Sequence, residues 1–447
     1  MLLSVRPGRA CGSACSSLQA VARENLTGIL SSAAARSQSL RRLPQCRSPQ
    51  PQRTRNSLLP VHSFRSFHST PKRDTSTSRI SYRVAASSSG KSRRFLPTKN
   101  AYNFDPELHD ALGVAVDIEE PAVKRKRRPD SGEDAFFVST VGRRGSSANN
   151  PIAFAVADGV GGWAESRVDP ADFSHALCDY MAQAALAWDG PAEQLRAKAL
   201  LQAGYDRVVA DESIPAGGST ASVGVGLEDG RIELANLGDS GSVLLRQAAV
   251  HHYSTPQTHG FNTPYQLSVI PKRMRQQASI FGGGFLEDFP RDANTTTLHM
   301  HHGDVLVLAT DGVFDNLNNQ DILKLVTGRM IYTGAWSEST SPNTGITPAD
   351  RATLDRLTGP EGVSSLVSSA MPKSTTNKSA TAPKSDHSYT LQSLLAASIA
   401  GEAKLASMDP RRDSPFAKEA QRYYPGDYFR GGKVDDIAVL VIVAVEE

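Results

Sequence analysis

Small and β-branched apolar residues fill positions 153–157 and stop at Asp158-Gly159, with Val160-Gly161-Gly162-Trp163 beyond. A short apolar run closed by turn residues predicts a buried strand. A strand that ends in Asp-Gly sets a carboxylate at the lip of its sheet. The glycine lets the backbone turn sharply and brings its carbonyl near whatever the carboxylate holds. The same dipeptide also makes an ordinary hairpin turn. The pattern recurs at 305–309, where an apolar run leads through Thr310 to Asp311-Gly312. Acids also introduce strands: Gly132-Glu133-Asp134 precedes apolar 135–138, and Asp435-Asp436 precedes a long β-branched run at 437–443, expected to be buried on both faces. The strands at 133–138 and 153–158 are expected to pair antiparallel, so that their acid-bearing ends meet; pattern alone does not fix their register.

Helical spacing places Phe173, Leu177, Tyr180, Met181 and Ala184 on one helix that opens at Asp169-Pro170 and breaks at Gly190-Pro191. A second helix is predicted over 192–209, with Leu195, Ala199, Leu200 and Tyr205 on one side. Cys178 packs in the first helix as a small apolar group. Strands at 219–227 and 231–237 flank the hairpin signal Glu228-Asp229-Gly230. Gly238-Asp239-Ser240-Gly241 is a further turn, leading to a strand at 242–245. Other expected elements are a first strand at 80–86, a short helix at 319–326 and a helix at 391–408. The polar stretch about 87–130, including the basic run 124–128, reads as a solvated loop. Residues 255–289 read as a long loop or flap. Residues 331–390, rich in Ser, Thr, Pro, Lys and Ala without periodicity, read as a disordered insertion.

Charge divides the chain. Residues 1–100 hold 18 Lys and Arg against Glu24 and Asp74, a balance of +16, whereas the whole 447-residue chain carries +3. Residues 101–447 therefore carry 3 − 16 = −13. An acidic body argues against general nucleic-acid binding. No apolar run approaches the roughly 18 residues that span a membrane. Cys11, Cys15 and Cys46 lie in the basic arm and Cys178 alone in the body, so the body closes no internal disulfide, which fits a reducing compartment. Residues 1–73, rich in Arg, Ser and Ala and nearly free of acid, have the composition of a mitochondrial transit peptide. The segment 64–70 resembles the end of fungal presequences, with removal expected near 65–75. The mitochondrial import machinery is then an expected partner.

Acids thus mark four strand edges, at Glu133-Asp134, Asp158-Gly159, Asp311-Gly312 and Asp435-Asp436, and Asp239 marks a fifth turn. No Cys or His pair with zinc spacing accompanies them. An all-oxygen donor set suits Mg²⁺ or Mn²⁺. Converging carboxylates repel unless cations hold them, so the set implies at least one metal and more readily two. Two ions about 3.5–4 Å apart can activate a shared water for attack on phosphorus or a carbonyl. His299, His301 and His302 around Met300 fit a solvated strand edge, as does His251-His252. His259, in the flap, is a possible general acid toward a leaving oxygen. Gly282-Gly283-Gly284 lacks the Lys-Ser/Thr of a nucleotide loop.

The set Gly-Glu-Asp-Ala (132–135), Val-Ala-Asp-Gly-Val-Gly-Gly-Trp (156–163), Gly-Gly-Ser-Thr-Ala (217–221), Ala-Asn-Leu-Gly-Asp-Ser (235–240), Ala-Thr-Asp-Gly-Val-Phe-Asp-Asn (309–316) and Asp-Asp-Ile-Ala-Val (435–439) resembles the metal-dependent type-2C (PPM-type) protein phosphatases, in that family's order and from about residue 79 onward. The resemblance implies an α+β fold: a four-layer α-β-β-α sandwich of two antiparallel β-sheets flanked by helices, with the metal site at one end. It implies a protein-serine/threonine phosphatase with two Mn²⁺ or Mg²⁺ ions per domain. By that resemblance Asp158 bridges both metals, Gly159 offers its carbonyl to one, and Asp311 and Asp435 bind the other. Glu133, Asp134 and Asp436 hold the surrounding water, and Asp239 and Asp315 are candidates for a weaker third metal. Phe261-Asn262-Thr263-Pro264-Tyr265-Gln266-Leu267, Ser414-Pro415-Phe416-Ala417 and Arg430-Gly431-Gly432-Lys433 resemble the mitochondrial branch, associated with the matrix and with phosphoproteins of ubiquinone biosynthesis. The implied partners are phosphorylated mitochondrial proteins. Many relatives place an Arg shortly before the Glu-Asp pair to grip phosphate; here Pro129 and Asp130 stand there, leaving the grip unassigned. A catalytically silent phosphoprotein-binding module on the same fold and a small-phosphoester hydrolase are the alternatives.

Overall fold

The computed structural model describes residues 79–142, 151–281, 284–339, 345–360, 362–363 and 389–447. The basic arm, with the transit-peptide expectation, lies outside them. Twelve strands form two six-stranded sheets. They are β1 (Ile80–Ser89), β2 (Ala101–Asn103), β3 (Ala111–Leu112), β4 (Asp134–Thr140), β5 (Ile152–Asp158), β6 (Ala221–Gly226), β7 (Arg231–Leu237), β8 (Gly241–Arg246), β9 (Ala249–Tyr253), β10 (Asn294–His299), β11 (Val305–Ala309) and β12 (Ile437–Glu446). One sheet runs β9-β8-β11-β12-β1-β2 and the other β10-β7-β6-β5-β4-β3, every pairing antiparallel.

Period-two alternation builds the layers. Along β12, Ala438, Leu440, Ile442 and Ala444 face the other sheet and meet Phe136, Phe154, Leu306 and Leu308. The alternate residues Val439, Val441 and Val443 face outward, onto helices. A strand apolar at every position is therefore required, because both of its faces are covered. Helices α1 (Pro121–Arg127), α2 (Pro170–Leu186), α3 (Ala197–Ala210), α4 (Lys272–Phe281), α5 (Asp311–Phe314), α6 (Asn319–Thr333), α7 (Arg351–Thr358), α8 (Leu391–Ser407) and α9 (Pro415–Tyr423) follow in chain order. Leu395, Ile399 and Ala403 of α8 cover the outer face of the β12 sheet. Phe173, Leu177 and Met181 of α2, with Leu200 and Leu201 of α3, cover the other sheet through Phe137, Ala155 and Val223. The result is the expected four-layer α-β-β-α sandwich. Asp169 caps α2 by accepting the Ala171 N–H at 3.1 Å, with Pro170 in the first turn.

Several local expectations are corrected. The stretch 87–130 is not one loop: β1 continues to Ser89, β2 and β3 follow, and the basic run lies on α1. That run stays solvated at Arg125, Lys126 and Arg127, but it is also anchored: Arg125 makes a two-pronged contact with Asp172 at 2.9 and 2.8 Å, and Lys124 pairs with Asp179. The second helix begins at Ala197, after a 3-10 turn at Ala192–Gln194. Residues 255–289 hold three short strands, at Thr258–Gly260, Thr263–Pro264 and Leu267–Val269, and helix α4. The 331–390 insertion is partly folded: α6 reaches Thr333, Trp336–Glu338 pairs with Ile346–Pro348, and α7 follows. Trp336 is buried, and its indole N–H donates to the Gly303 carbonyl at 2.9 Å. Residues 364–388 of that insertion lie outside the described residues. No helix among the described residues is long and apolar enough to cross a membrane.

Candidate metal centre

Strand ends from both sheets meet at one end of the sandwich. The β4–β5 register sets Asp134 opposite Asp158, so the two acid-bearing ends do coincide. Asp158 closes β5, and its carbonyl is held by the Thr220 N–H at 3.0 Å and the Ser219 hydroxyl at 2.8 Å. A β-carbon at Gly159 would lie 2.7 Å from the Glu133 carbonyl and 2.8 Å from that of Pro170, so only glycine passes between them. From the other sheet, β11 ends at Ala309, Thr310 is the N-cap of α5, and Asp311 opens that helix. Thr310 bridges the sheets: its hydroxyl donates to Asp134 Oδ2 at 2.7 Å and accepts the Ala438 N–H at 3.0 Å.

Asp158, Asp239 and Asp311 each offer a carboxylate oxygen, and these oxygens all lie within 4.8 Å of one another. Asp239 comes from the turn between β7 and β8. Its Oδ1 is buried and has no hydrogen-bond partner. Asp315 and Asp435 are joined to Asp311 through Lys433, whose ammonium donates to Asp311 Oδ2 at 2.6 Å and Asp315 Oδ2 at 2.7 Å and lies 3.2 Å from Asp435 Oδ2. Asp436 plays a different part. Its carboxylate accepts the backbone N–H groups of Glu133, at 2.8 Å, and Lys91, bracing the Gly132-Glu133 turn. Gly132 holds φ +70°, and a β-carbon there would collide with that carboxylate.

The electrostatics report crowding. Burial, reinforced by the neighbouring acids, pushes Asp134, Asp158 and Asp239 well above the ordinary carboxylate range. Burial lifts Asp315 to about 7, Lys433 pulling against it and Asp311 adding to it. Asp435 rises to about 6 through burial and Asp311. Burial opposes the charge on Lys433, but Asp311, Asp315 and Asp435 outweigh it and hold its pKa well above the usual lysine value. Carboxylates so placed share a need for positive charge. The donor set is all oxygen, one oxygen is orphaned, and the cluster is short of cations; these are the properties of a hard divalent-metal site.

Two residues at this centre carry roles the sequence did not suggest. The sequence signals Lys433 only as a lone cation between Gly431-Gly432 and Asp435-Asp436. Lys91 follows β1, with its ammonium 3.2 Å from Glu133 Oε2 and its side chain 42% exposed at the rim. Arg128, one of the arginines near the missing phosphate grip, is engaged elsewhere, donating to Asp172 at 2.7 Å. His259 is likewise committed, since its Nε2 sits 2.9 Å from Asp288 Oδ2 and its ring stacks on Tyr265. His299 and His301 lie at the exposed sheet edge, their rings 5.3 Å apart.

An α-β-β-α sandwich with an acid-lined end suited to hard divalent ions is the class of protein that the fold and the site define. Residues 127–340 match the family model described as protein phosphatase 2C. The chain is 35% identical over 263 residues to "Protein phosphatase 2C homolog 7, mitochondrial" of Saccharomyces cerevisiae, covering 58% of this chain and 73% of the relative. It is 30% identical to "5-azacytidine resistance protein azr1" of Schizosaccharomyces pombe and 31% identical to "Protein phosphatase PTC7 homolog" of Danio rerio, each match covering 70% of this chain and 82% of the relative. Among solved structures, the photosystem II phosphatase PBCP aligns with a TM-score of 0.45 at 24% identity, over 73% of this chain and 95% of that one. The chain belongs to the protein phosphatase 2C family, and it is a metal-dependent protein serine/threonine phosphatase.

Proposed function

We propose that this phosphatase works in mitochondria, in the matrix, on phosphoserine and phosphothreonine of mitochondrial proteins, those of ubiquinone biosynthesis among them, with Asp158, Asp311, Asp435 and the Gly159 carbonyl as its metal ligands. The observation that carries the assignment is the convergence of Asp158, Asp239 and Asp311 oxygens within 4.8 Å. Two Mn²⁺ or Mg²⁺ ions, when bound, supply the Lewis acidity that makes water nucleophilic near neutral pH and offsets phosphoryl charge.

The chain's own residues bind and orient. Asp158 and Asp311 stand at strand and helix ends fixed by main-chain bonds, which holds their oxygens in place without reorganisation. Glu133, Asp134 and Asp436 form the outer layer: Asp134 is locked by Thr310, and Asp436 fixes the turn that presents Glu133. Asp239 and Asp315 are assigned to a weaker third position. Lys91 takes the substrate phosphate, because Lys433 is held by three carboxylates and Lys404 is buried with its ammonium on the Gly90 and Lys91 carbonyls at 2.8 and 2.9 Å. No side chain serves as nucleophile; Cys178 lies on the buried face of α2 with its thiol pKa pushed up by burial.

Mitochondrial placement is supported by the acid-poor arm and by the printed name of the yeast relative. Cell fractionation with protease protection tests it; a cytosolic mature protein refutes it. The activity is tested by phosphate release from a phosphoserine peptide with Mn²⁺. EDTA is expected to abolish it and Asp158→Asn to cut it about a thousand-fold, and undiminished turnover in the Asn variant refutes the ligand assignment. Faster turnover of small phosphometabolites than of phosphoprotein would reassign the substrate class, and calorimetry showing no Mn²⁺ uptake would favour a silent binding module.

A further inference from the structure

Lys404 is 5% exposed on α8, the helix that covers the outer face of the β12 sheet. Its ammonium donates to the Gly90 carbonyl at 2.8 Å and to the Lys91 carbonyl at 2.9 Å. Both partners are neutral main-chain groups. A buried charge is costly unless it is paired. Methionine, with a stem of similar length, would fill the same space without that cost. Packing therefore does not account for a lysine at this position; the two carbonyls it holds do.

Those carbonyls belong to a tight turn. β1 ends at Ser89. The Gly90 N–H then donates to the Asp130 carbonyl at 3.1 Å, and the Arg93 N–H closes back on the Gly90 carbonyl at 2.9 Å. Lys91 sits inside the turn. Its N–H donates to Asp436 Oδ1, and Asp436 Oδ2 accepts the Glu133 N–H at 2.8 Å. The main chain of Lys91 is thus gripped from two directions. Asp436 holds its N–H from the acidic end of the sandwich, and Lys404 holds its carbonyl from the helical layer. Only the side chain is left free to move. Its ammonium stands 3.2 Å from Glu133 Oε2 and 4.0 Å from Asp436 Oδ2. A flexible four-carbon stem presents its charge at one place only as far as its base is fixed.

We propose that Lys404 is a positioning residue for phosphate binding: by holding the Gly90 and Lys91 carbonyls it fixes the base of the Lys91 side chain, so that the Lys91 ammonium is kept at the rim of the acid cluster. The groups served are the phosphoryl dianion of a phosphoserine peptide and the inorganic phosphate released from it. Lys404 touches neither. The inference rests on the reading of Lys91 as the substrate-phosphate contact.

Steady-state kinetics on the full-length protein with Mn²⁺ and a phosphoserine peptide test it, comparing wild type, Lys404→Met, Lys91→Ala and the double variant. Lys404→Met is expected to raise KM and the inhibition constant of inorganic phosphate by about five-fold each, with a smaller change in kcat, because loosening a charge-assisted contact does less than deleting it. In the Lys91→Ala background the same substitution is expected to change KM by less than about two-fold, since the contact it supports is already gone. A KM unchanged in Lys404→Met, or raised as much beside Lys91→Ala as in wild type, overturns the proposal and leaves the Lys91 reading intact. A fall in kcat and in Tm at unchanged KM also overturns it, because Lys404 then serves the fold and not the phosphate. An unchanged KM in Lys91→Ala overturns both readings. Should Lys404→Met fail to fold, Lys404→Gln, which keeps an N–H donor for one carbonyl, decides the matter through the same comparison with and without Lys91→Ala.

Discussion

Gly312 lies against the main chain of Asp436 so closely that a β-carbon on it would sit 1.8 Å from the Asp436 carbonyl oxygen. Gly132 approaches the same aspartate from the other sheet, 2.2 Å from its Oδ1 by the same measure. One residue is thus gripped by its backbone and by its side chain, and through it the two sheet ends are brought into register at the metal centre. Gly312→Ala has no room to relax against backbone. It is expected to destabilise the fold by about 3 kcal/mol, at the upper end of overpacking costs, and to weaken Mn²⁺ binding. Thermal melting followed by circular dichroism, with and without Mn²⁺, measures both.

Thr310 joins β11 to β4 and β12 through a single hydroxyl. Thr310→Val keeps the shape and removes the hydrogen bonds, leaving a buried Asp134 oxygen and the Ala438 N–H unsatisfied. A loss of about 1–3 kcal/mol is expected for leaving such groups unpaired. Urea unfolding should resolve it, and Thr310→Ser should recover most of it.

Asp158→Asn retains volume and loses a charge at the centre of the cluster. The expected drop in kcat is about a thousand-fold, equivalent to several kcal/mol of charge stabilisation. Tyrosine and phenyl phosphates provide convenient substrates for comparison with a phosphoserine peptide.

Lys91 at the rim should act mainly on substrate binding. Lys91→Ala is expected to raise KM for phosphopeptide by about ten-fold with a smaller change in kcat, as loss of one charge-assisted contact implies, and Lys91→Arg should restore most of it. A kcat loss with unchanged KM would show that the residue serves Glu133 rather than the substrate.

His175 gives the stability of this protein an acid-side dependence. It lies buried beneath the Gly132–Asp134 turn, where burial first and the Arg128 charge second depress its pKa to about 3 against the opposing pull of Asp172 and of backbone bonds to Gly132 and Asp134. Folded His175 is therefore neutral where the unfolded residue takes up a proton below its ordinary value of 6.5. The unfolded state binds more protons in that window, so this contribution is complete above 6.5 and is lost as pH falls toward 3. Comparing wild type with His175→Gln by urea unfolding, the wild-type advantage should shrink by about 2 kcal/mol between pH 7.5 and pH 5.

Much of this architecture is readable from residue order. The unbroken apolar run at 437–445 announces a strand covered on both faces, and the acids flanking 134–158 announce the meeting that the Asp134–Asp158 register realises. What escapes is structure whose cause lies in distant partners. The basic residues 124–127 end a helix whose Lys124 and Arg125 are anchored on Asp179 and Asp172 of α2, and no local pattern encodes those partners. Trp336 folds part of an otherwise patternless insertion by reaching the Gly303 carbonyl. Asp436 lies beside a ligand candidate in sequence yet serves as a brace, and Lys433 acquires its meaning only when Asp311 and Asp315 close around it. Sequence tells which residues are charged; only the folded chain tells which of them share a neighbour.

The middle of one sheet is occupied by β12, which lies between β11 and β1 and pairs with β1 along its whole length, from Ile80 opposite Glu446 to Ser89 opposite Ile437. Ribosomes deliver chains from the amino end, so β1 and β11 must wait, unjoined, until residues 437–446 have emerged. Asp435 arrives on that same late segment. A chain cut short before Asp435 is then not a weakened phosphatase but an unzipped sheet without a complete acidic end.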